Sequence, residues 1–236
     1  MKTYKQYLNE NQDLNNVSEE EQIAAVKQDG NEIQHIDNPS EQVQLAAVKQ
    51  NEDAICYIKN PSEQVKLTAV QQDGYIIRYI KNPSEKIQLA AVKQLHGDAI
   101  QYIKNPSEKV QLIAVQQDGS VIRYIDNPSK EVKLTAVKQN GYNVRWIKNP
   151  SEEMQLIAVK QLHGLPIEYI DNPSEKVQLV AVNNNGEVIR FIKNPSEQVQ
   201  EYIILNHPNL INDLNYISPE LKQKYDYILS GEDLEI

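Results

Sequence analysis

The chain has 236 residues, 40% of them hydrophobic and 24% charged, with a net charge of −9. That composition belongs to an ordinary folded protein. No apolar run approaches the ~20 residues needed to cross a bilayer, and the acidic balance argues against a duplex-binding surface, which is usually basic. Cys56, the only cysteine, has no internal disulfide partner, so a reducing, cytoplasmic compartment is expected. The opening MKTYKQYLNENQDLNN has no hydrophobic stretch, and no secretory signal is expected.

Residues Met1 to Gln12, with Tyr4, Tyr7 and Leu8 at helical spacing, predict a short N-terminal capping helix within residues 1–15. A degraded repeat follows. Asn16-Val17-Ser18-Glu19 leads into Ile23-Ala24-Ala25-Val26, Gly30 and Ile33-x-His35-Ile36. Polar substitutions such as Glu21 at a core valine position suit a terminal unit.

The phrase Asn-Pro-Ser then occurs eight times, beginning at Asn38, Asn60, Asn82, Asn105, Asn127, Asn149, Asn172 and Asn194, in steps of 22 or 23 residues. A period of this size marks one small supersecondary unit repeated as a solenoid. In residues 60–81, Asn60 or Ser62 can cap a helix, and Pro61 is tolerated in its first turn. With Asn60 as the cap, Glu63 falls at the third helical position, as in a capping box. Val65, Leu67, Ala69 and Val70 form an apolar face, and Gly74 is expected to end the helix in the left-handed conformation. Ile76, Ile77, Tyr79 and Ile80 then predict a shorter helix of about two turns, halted by the next Asn-Pro. A strand-bearing leucine-rich repeat has an overlapping period, but its Leu-x-x-Leu-x-Leu pattern and strict alternation are missing.

The array is expected to span residues 16–205, followed by a C-terminal cap over 206–236 in which Ser218-Pro219-Glu220 starts a fresh helix toward Leu221, Tyr225, Ile228 and Leu229. The fold class expected is all-α: a right-handed α-solenoid of about nine two-helix repeats with helical caps at both ends. Two repeats carry an extra residue, in Gln94-Leu95-His96-Gly97 and Gln161-Leu162-His163-Gly164, which are 67 residues apart. Lys66-Leu67-Thr68 and Gly74-Tyr75 return at the same offset as Lys133-Leu134-Thr135 and Gly141-Tyr142. A duplicated three-repeat block accounts for these shared features by descent.

Little of this reads as catalytic chemistry. At ~8–10 Å per stacked pair, His96 and His163 lie roughly 25–30 Å apart and cannot share a metal ion bound at ~2 Å; no metal ligand set, cofactor or catalytic residue is assigned. The repeated Ser and the first-turn glutamates Glu41, Glu63, Glu85, Glu108, Glu152, Glu175 and Glu197 read as structural. A ridge of these carboxylates is conceivable as a nucleic-acid mimic, yet one charge per repeat is too sparse to copy DNA at one per ~1.7 Å.

Two columns remain. Tyr57, Tyr79, Tyr102, Tyr124, Trp146, Tyr169 and Phe191 recur one position before the last isoleucine of each unit. A column that accepts Tyr, Trp and Phe is expected to be core packing. Just before it stand Cys56, Arg78, Gln101, Arg123, Arg145, Glu168 and Arg190, collecting all four arginines of a chain with twenty lysines. This position is expected on the outward side of the second helix. Arginine's planar fork suits carboxylate, phosphate or an aromatic face. Two readings stand: the arginines brace neighbouring repeats through Glu or Asp, or they contact a partner. Gln101 and Glu168 interrupt the column and argue against a uniform groove for a nucleic-acid backbone.

The unit NPSExVQLxAVxQxGxxIxYI resembles short two-helix repeats of unknown function in bacteriophage, giant-virus and intracellular-bacterium proteins. The resemblance covers residues 16–205 and implies a helical solenoid without catalysis or cofactor. It further implies a phage-encoded inhibitor of a host or defence protein, located in the host-cell cytosol. The expected function is therefore non-enzymatic binding of a macromolecule, a protein first. The alternative is a nucleic acid or nucleotide held by the arginine column; no membrane role is expected.

Overall fold

The computed structural model describes residues 13–230, so the capping helix expected over Met1–Gln12 lies outside the described residues. Nine helix pairs follow one another in the order Glu19–Gln28 with Gly30–His35, Glu41–Gln50 with Glu52–Tyr57, Glu63–Gln72 with Gly74–Tyr79, Glu85–Gln94 with Asp98–Tyr102, Glu108–Gln117 with Gly119–Tyr124, Lys130–Gln139 with Gly141–Trp146, Glu152–Lys160 with Leu162–Tyr169, Glu175–Asn184 with Gly186–Phe191, and Glu197–Asn206 with Pro208–Asp213. These are repeats one to nine. The described residues contain no strand, which removes the leucine-rich alternative and makes the fold an all-α solenoid of helical pairs. No helix among them is long and apolar enough to cross a membrane. The chain divides into two compact units, Met1–Gln117 with Tyr124–Asp126 and Asp118–Arg123 with Asn127–Ile236.

The first helix of each pair is α-helical, and the second is a 3-10 helix. The predicted length of two turns is met, but with three residues per turn instead of 3.6. Serine alone is the N-cap. Ser62 Oγ accepts from Val65 N, and Ser84, Ser151, Ser174 and Ser196 act alike. Glu63 is consequently the first helical residue, and Pro61 precedes the cap instead of lying in the first turn. The asparagine has a different task. Asn82, Asn105, Asn127, Asn149 and Asn172 hold φ of 50–52°, a left-handed conformation that asparagine tolerates better than most residues. A capping box forms in repeat one, between Ser18 and Glu21.

Gly74 also differs from expectation. The long helix ends because Asp73 is extended, at φ −133° and ψ 114°, and its side chain accepts from Tyr75 N to start the 3-10 helix. Gly74 is needed for room: a Cβ there would lie 2.7 Å from Gln94 Oε1 and 3.1 Å from the Ala91 carbonyl oxygen. In the two inserted turns the glycine does take the left-handed conformation, at φ 99° for Gly97 and 77° for Gly164.

The core is a recurring Val-x-x-x-Ala-Val from the long helix and paired apolar residues from the short one. Val65, Ala69, Val70, Ile76 and Ile77 are at most 1% exposed. Successive repeats are then joined by polar contacts. In the first unit Glu41 accepts from Ser62 Oγ and Glu63 from Ser84 Oγ, while Glu85 accepts from Ser107 Oγ at 2.7 Å and Lys109 Nζ at 3.0 Å. Hydrogen bonds from Ser107, first, and Lys109 hold the Glu85 carboxyl below the usual carboxylate range. In the second unit Lys130 stands in the place of that glutamate and pairs with Glu153 at 3.0 Å. The last glutamine of the long helix makes another bridge. Gln94 Oε1 accepts from Gly74 N at 3.0 Å, and Gln161 Oε1 from Gly141 N at 2.7 Å.

The fresh helix at Ser218 is present as Pro219–Lys224, capped by the serine hydroxyl. Lys224 Nζ and Tyr225 Oη each donate to Glu201 Oε1 at 2.6 Å, tying this helix to repeat nine. The Lys224 bond, then the Tyr225 bond, lower the Glu201 pKa, and the same contact raises that of Lys224. A carboxyl lowered in the folded state stabilises above its unfolded pKa and loses that contribution as pH falls through the lowered value. Acidification is therefore expected to loosen Pro219–Lys224 before the repeats unfold, seen as earlier loss of hydrogen-exchange protection there, and Glu201→Gln should remove the pH dependence. Gly141→Ala would place Cβ 2.7 Å from the Ala158 carbonyl oxygen. Overpacking of this kind is expected to cost about 1–3 kcal/mol in urea unfolding.

Candidate functional site

Three residues per turn decide what the second helix shows to solvent. In Gly74–Tyr79, positions 74, 77 and 80 share one face, and Gly74, Ile77 and Ile80 are buried. Positions 75 and 78 share another face, and Tyr75 and Arg78 are exposed. Tyr79 comes after Ile76 on the third face, beyond the cover of the neighbouring helix, and is 52% exposed.

The aromatic column is therefore not core. Tyr57, Tyr102, Tyr124, Trp146 and Tyr169 are 38–51% exposed, and Phe191 is half-buried. The expectation of burial rested on the column's acceptance of Tyr, Trp and Phe; the rings instead stand exposed or half-buried at the end of each 3-10 helix, Tyr79 one turn beyond the buried Ile76. The neighbouring column is where it was placed. Cys56, Arg78, Gln101, Arg123, Arg145, Glu168 and Arg190 are all exposed.

The two columns act together. Arg78 lies over the ring of Tyr79 at 4.6 Å in the first unit. In the second, Arg145 lies over Trp146 at 5.1 Å and over Tyr169 of the next repeat at 5.7 Å, and Arg190 over Phe191 at 4.9 Å. Arg123 Nη1 donates to Ser120 Oγ at 3.2 Å. Among the described residues, no carboxylate lies within ion-pair distance of Arg78, Arg145 or Arg190. A guanidinium held flat on a ring keeps its donors directed outward at little further entropic cost.

Two aromatic residues outside both columns extend the surface. Tyr75 meets Tyr102 edge-to-face with ring centroids 6.0 Å apart, and Tyr142 meets Tyr169 in the same way at 6.0 Å. The signal for them was the recurrence of Gly74-Tyr75 as Gly141-Tyr142; the duplicated block repeats the geometry as well as the letters.

Other candidates separate. His96 and His163 sit in the inserted turns at φ 49° and 53°, and the described residues hold no group of three or more potential metal ligands. Partial burial raises the Cys56 thiol pKa, with Asp53 adding to the shift and Arg78 opposing it, so the thiol is the dominant form at neutral pH. The first-turn glutamates Glu41, Glu63, Glu85 and Glu197 are engaged with the serine of the following repeat.

Comparison with protein-family models, curated proteins and solved structures finds no match to this chain.

Because Arg78, Arg145 and Arg190 are exposed and stack on exposed or half-buried rings, replacing each with alanine is expected to cost no more than about 0.5–1 kcal/mol of stability. Chemical denaturation of the single and triple variants checks this. Losses of several kcal/mol would instead assign the arginines to bracing.

Proposed function

We propose that the chain is a non-catalytic, protein-binding repeat module whose contact surface is the second-helix face, with Arg78, Arg145 and Arg190 and their aromatic partners as anchors. The observation that carries this reading is the stacked arginine–aromatic pairs, left exposed and without carboxylate partners. Aromatic and arginine side chains dominate the energetics of protein interfaces. Here they are pre-ordered on short, buried-core helices, so little side-chain entropy is lost on docking. Cys56, Gln101 and Glu168 occupy the same row and vary it, which suits recognition of one defined surface over a uniform charged backbone.

A partner with carboxylates facing the guanidinium groups fits the chemistry. Binding without catalysis acts by occupying a surface, in line with the inhibitor role implied by the phage-repeat resemblance. The alternative target, a single-stranded nucleic acid, would use the same rings for base stacking. It is disfavoured by the interruption at Glu168 and by a chain charge of −9.

The triple variant R78A/R145A/R190A is expected to lose the proteins retained by the wild-type chain in affinity capture from its native cell, while Lys160→Ala retains them. Each anchor should contribute at least about 1 kcal/mol, or roughly fivefold in affinity. Unchanged capture by the triple variant would sink the proposal. Retention of RNA or DNA that weakens steeply with salt would move it to the nucleic-acid reading.

A further inference from the structure

Between repeats two and three, within the first unit, runs a groove of about 480 Å³. This is the size range of small-ligand sites, about 300–1,000 Å³. It is lined by Lys59, Lys66 and Lys81, by the Asn-Pro turns at Asn60 and Asn82, and by an apolar wall of Ile55, Ile58, Tyr79 and Ile80. No carboxylate lines it. Among the described residues none of the three lysine ammonium groups makes an ion pair or a hydrogen bond. In a chain of net charge −9, three unpaired ammonium groups on one groove are a local reversal of charge.

Lys66 together with Lys59 and Lys81 sets this groove apart. The position of Lys66 in the repeat is glutamine elsewhere except at Lys133, and that glutamine is spent internally. Gln44, Gln88, Gln155 and Gln178 each donate Nε2 to the carbonyl of their own repeat's proline at 2.9 Å. Lys66 makes no such bond and stands half-buried in the groove wall. The Lys66 ammonium has no hydrogen-bond or carboxylate partner within the protein, and an anion entering the groove would supply one. The corresponding groove between repeats seven and eight, about 310 Å³, has Gln178 in that place and carries Glu168 and Asp171 with Lys193, so its lining is net negative.

We infer that the groove around Lys66 binds a small phosphorylated organic molecule of nucleotide size. The phosphates sit among Lys59, Lys66 and Lys81, and the organic part lies against Ile55, Ile58, Tyr79 and Ile80. Lysine supplies mobile point charges suited to phosphate, and the apolar wall favours an organic part over bare phosphate. This site uses lysines, not the arginine column, and does not depend on the protein-binding reading.

The test is calorimetric titration of the full chain, without any partner, using ADP and inorganic pyrophosphate as probes at low salt. Binding of ADP is expected with a Kd below about 1 mM, weakened at least about tenfold by K66M and by K81Q, and left within about twofold by K193Q, which alters the net negative groove between repeats seven and eight. Melting curves of the three variants should overlay that of the wild type, and K81Q, on an exposed side chain, keeps the test informative should K66M unfold. Absence of ADP binding overturns the proposal. So do equal weakening by K193Q and K81Q, and binding of pyrophosphate in preference to ADP.

Discussion

The close approach of each short helix to the long helix of the following repeat is the constraint on which the rest depends. Where Gly74, Gly141 and Gly164 stand, an added Cβ would come within 3.1 Å of the alanine carbonyl oxygen of the next repeat. Only a residue without a side chain opposite a residue with a small one permits that spacing. At that distance the terminal glutamine reaches back to the glycine N–H, and the first-turn glutamate meets the next serine hydroxyl. A single serine oxygen serves twice, accepting from its own helix and donating to the preceding repeat, which the one donor and two acceptor sites of a hydroxyl allow.

The same spacing explains the short helix. Six residues between an extended Asp or Asn and an extended isoleucine leave too little chain for α-helical turns with both termini satisfied, and 3-10 bonding fits the interval. Its three-residue period sets Gly74, Ile77 and Ile80 on one buried face, and the two positions before the final isoleucine stand exposed. Those positions hold the arginine and the aromatic residue. Stacking by the neighbouring guanidinium limits the apolar area that water meets.

The repeats are alike in what joins them and differ in what they expose. Serine, glycine, alanine and valine recur because each satisfies a fixed contact within the stack, and proline supplies the carbonyl that its own repeat's glutamine meets. Arg78, Gln101, Arg145 and Glu168 vary because each stands exposed, outside the contacts that recur along the stack. The lysine at 66 belongs to a third kind: it replaces a glutamine with an internal hydrogen bond and so leaves a groove charged. Variation at a structural position changes the shape and charge of a groove, whereas variation at an exposed one changes only the surface.

Periodicity alone was enough to determine the helical pairs, their number, the outward position of the arginines and the separate helix at Ser218, because these follow from local capping and hydrophobic spacing. The role of asparagine against serine was ambiguous at that level, since both can cap, and only the backbone geometry separated the left-handed Asn from the capping Ser. Gly74 was read as a left-handed terminator because its crowding comes from residues about twenty positions away. Tyr79 is expected in the core because Tyr, Trp and Phe replace one another along its column, a tolerance that exposed rings share with packed ones. The stacking of Arg145 on Tyr169, the edge-to-face tyrosines and the unpaired Lys66 were decided by tertiary structure, since each depends on which side chains from separate repeats come within contact distance.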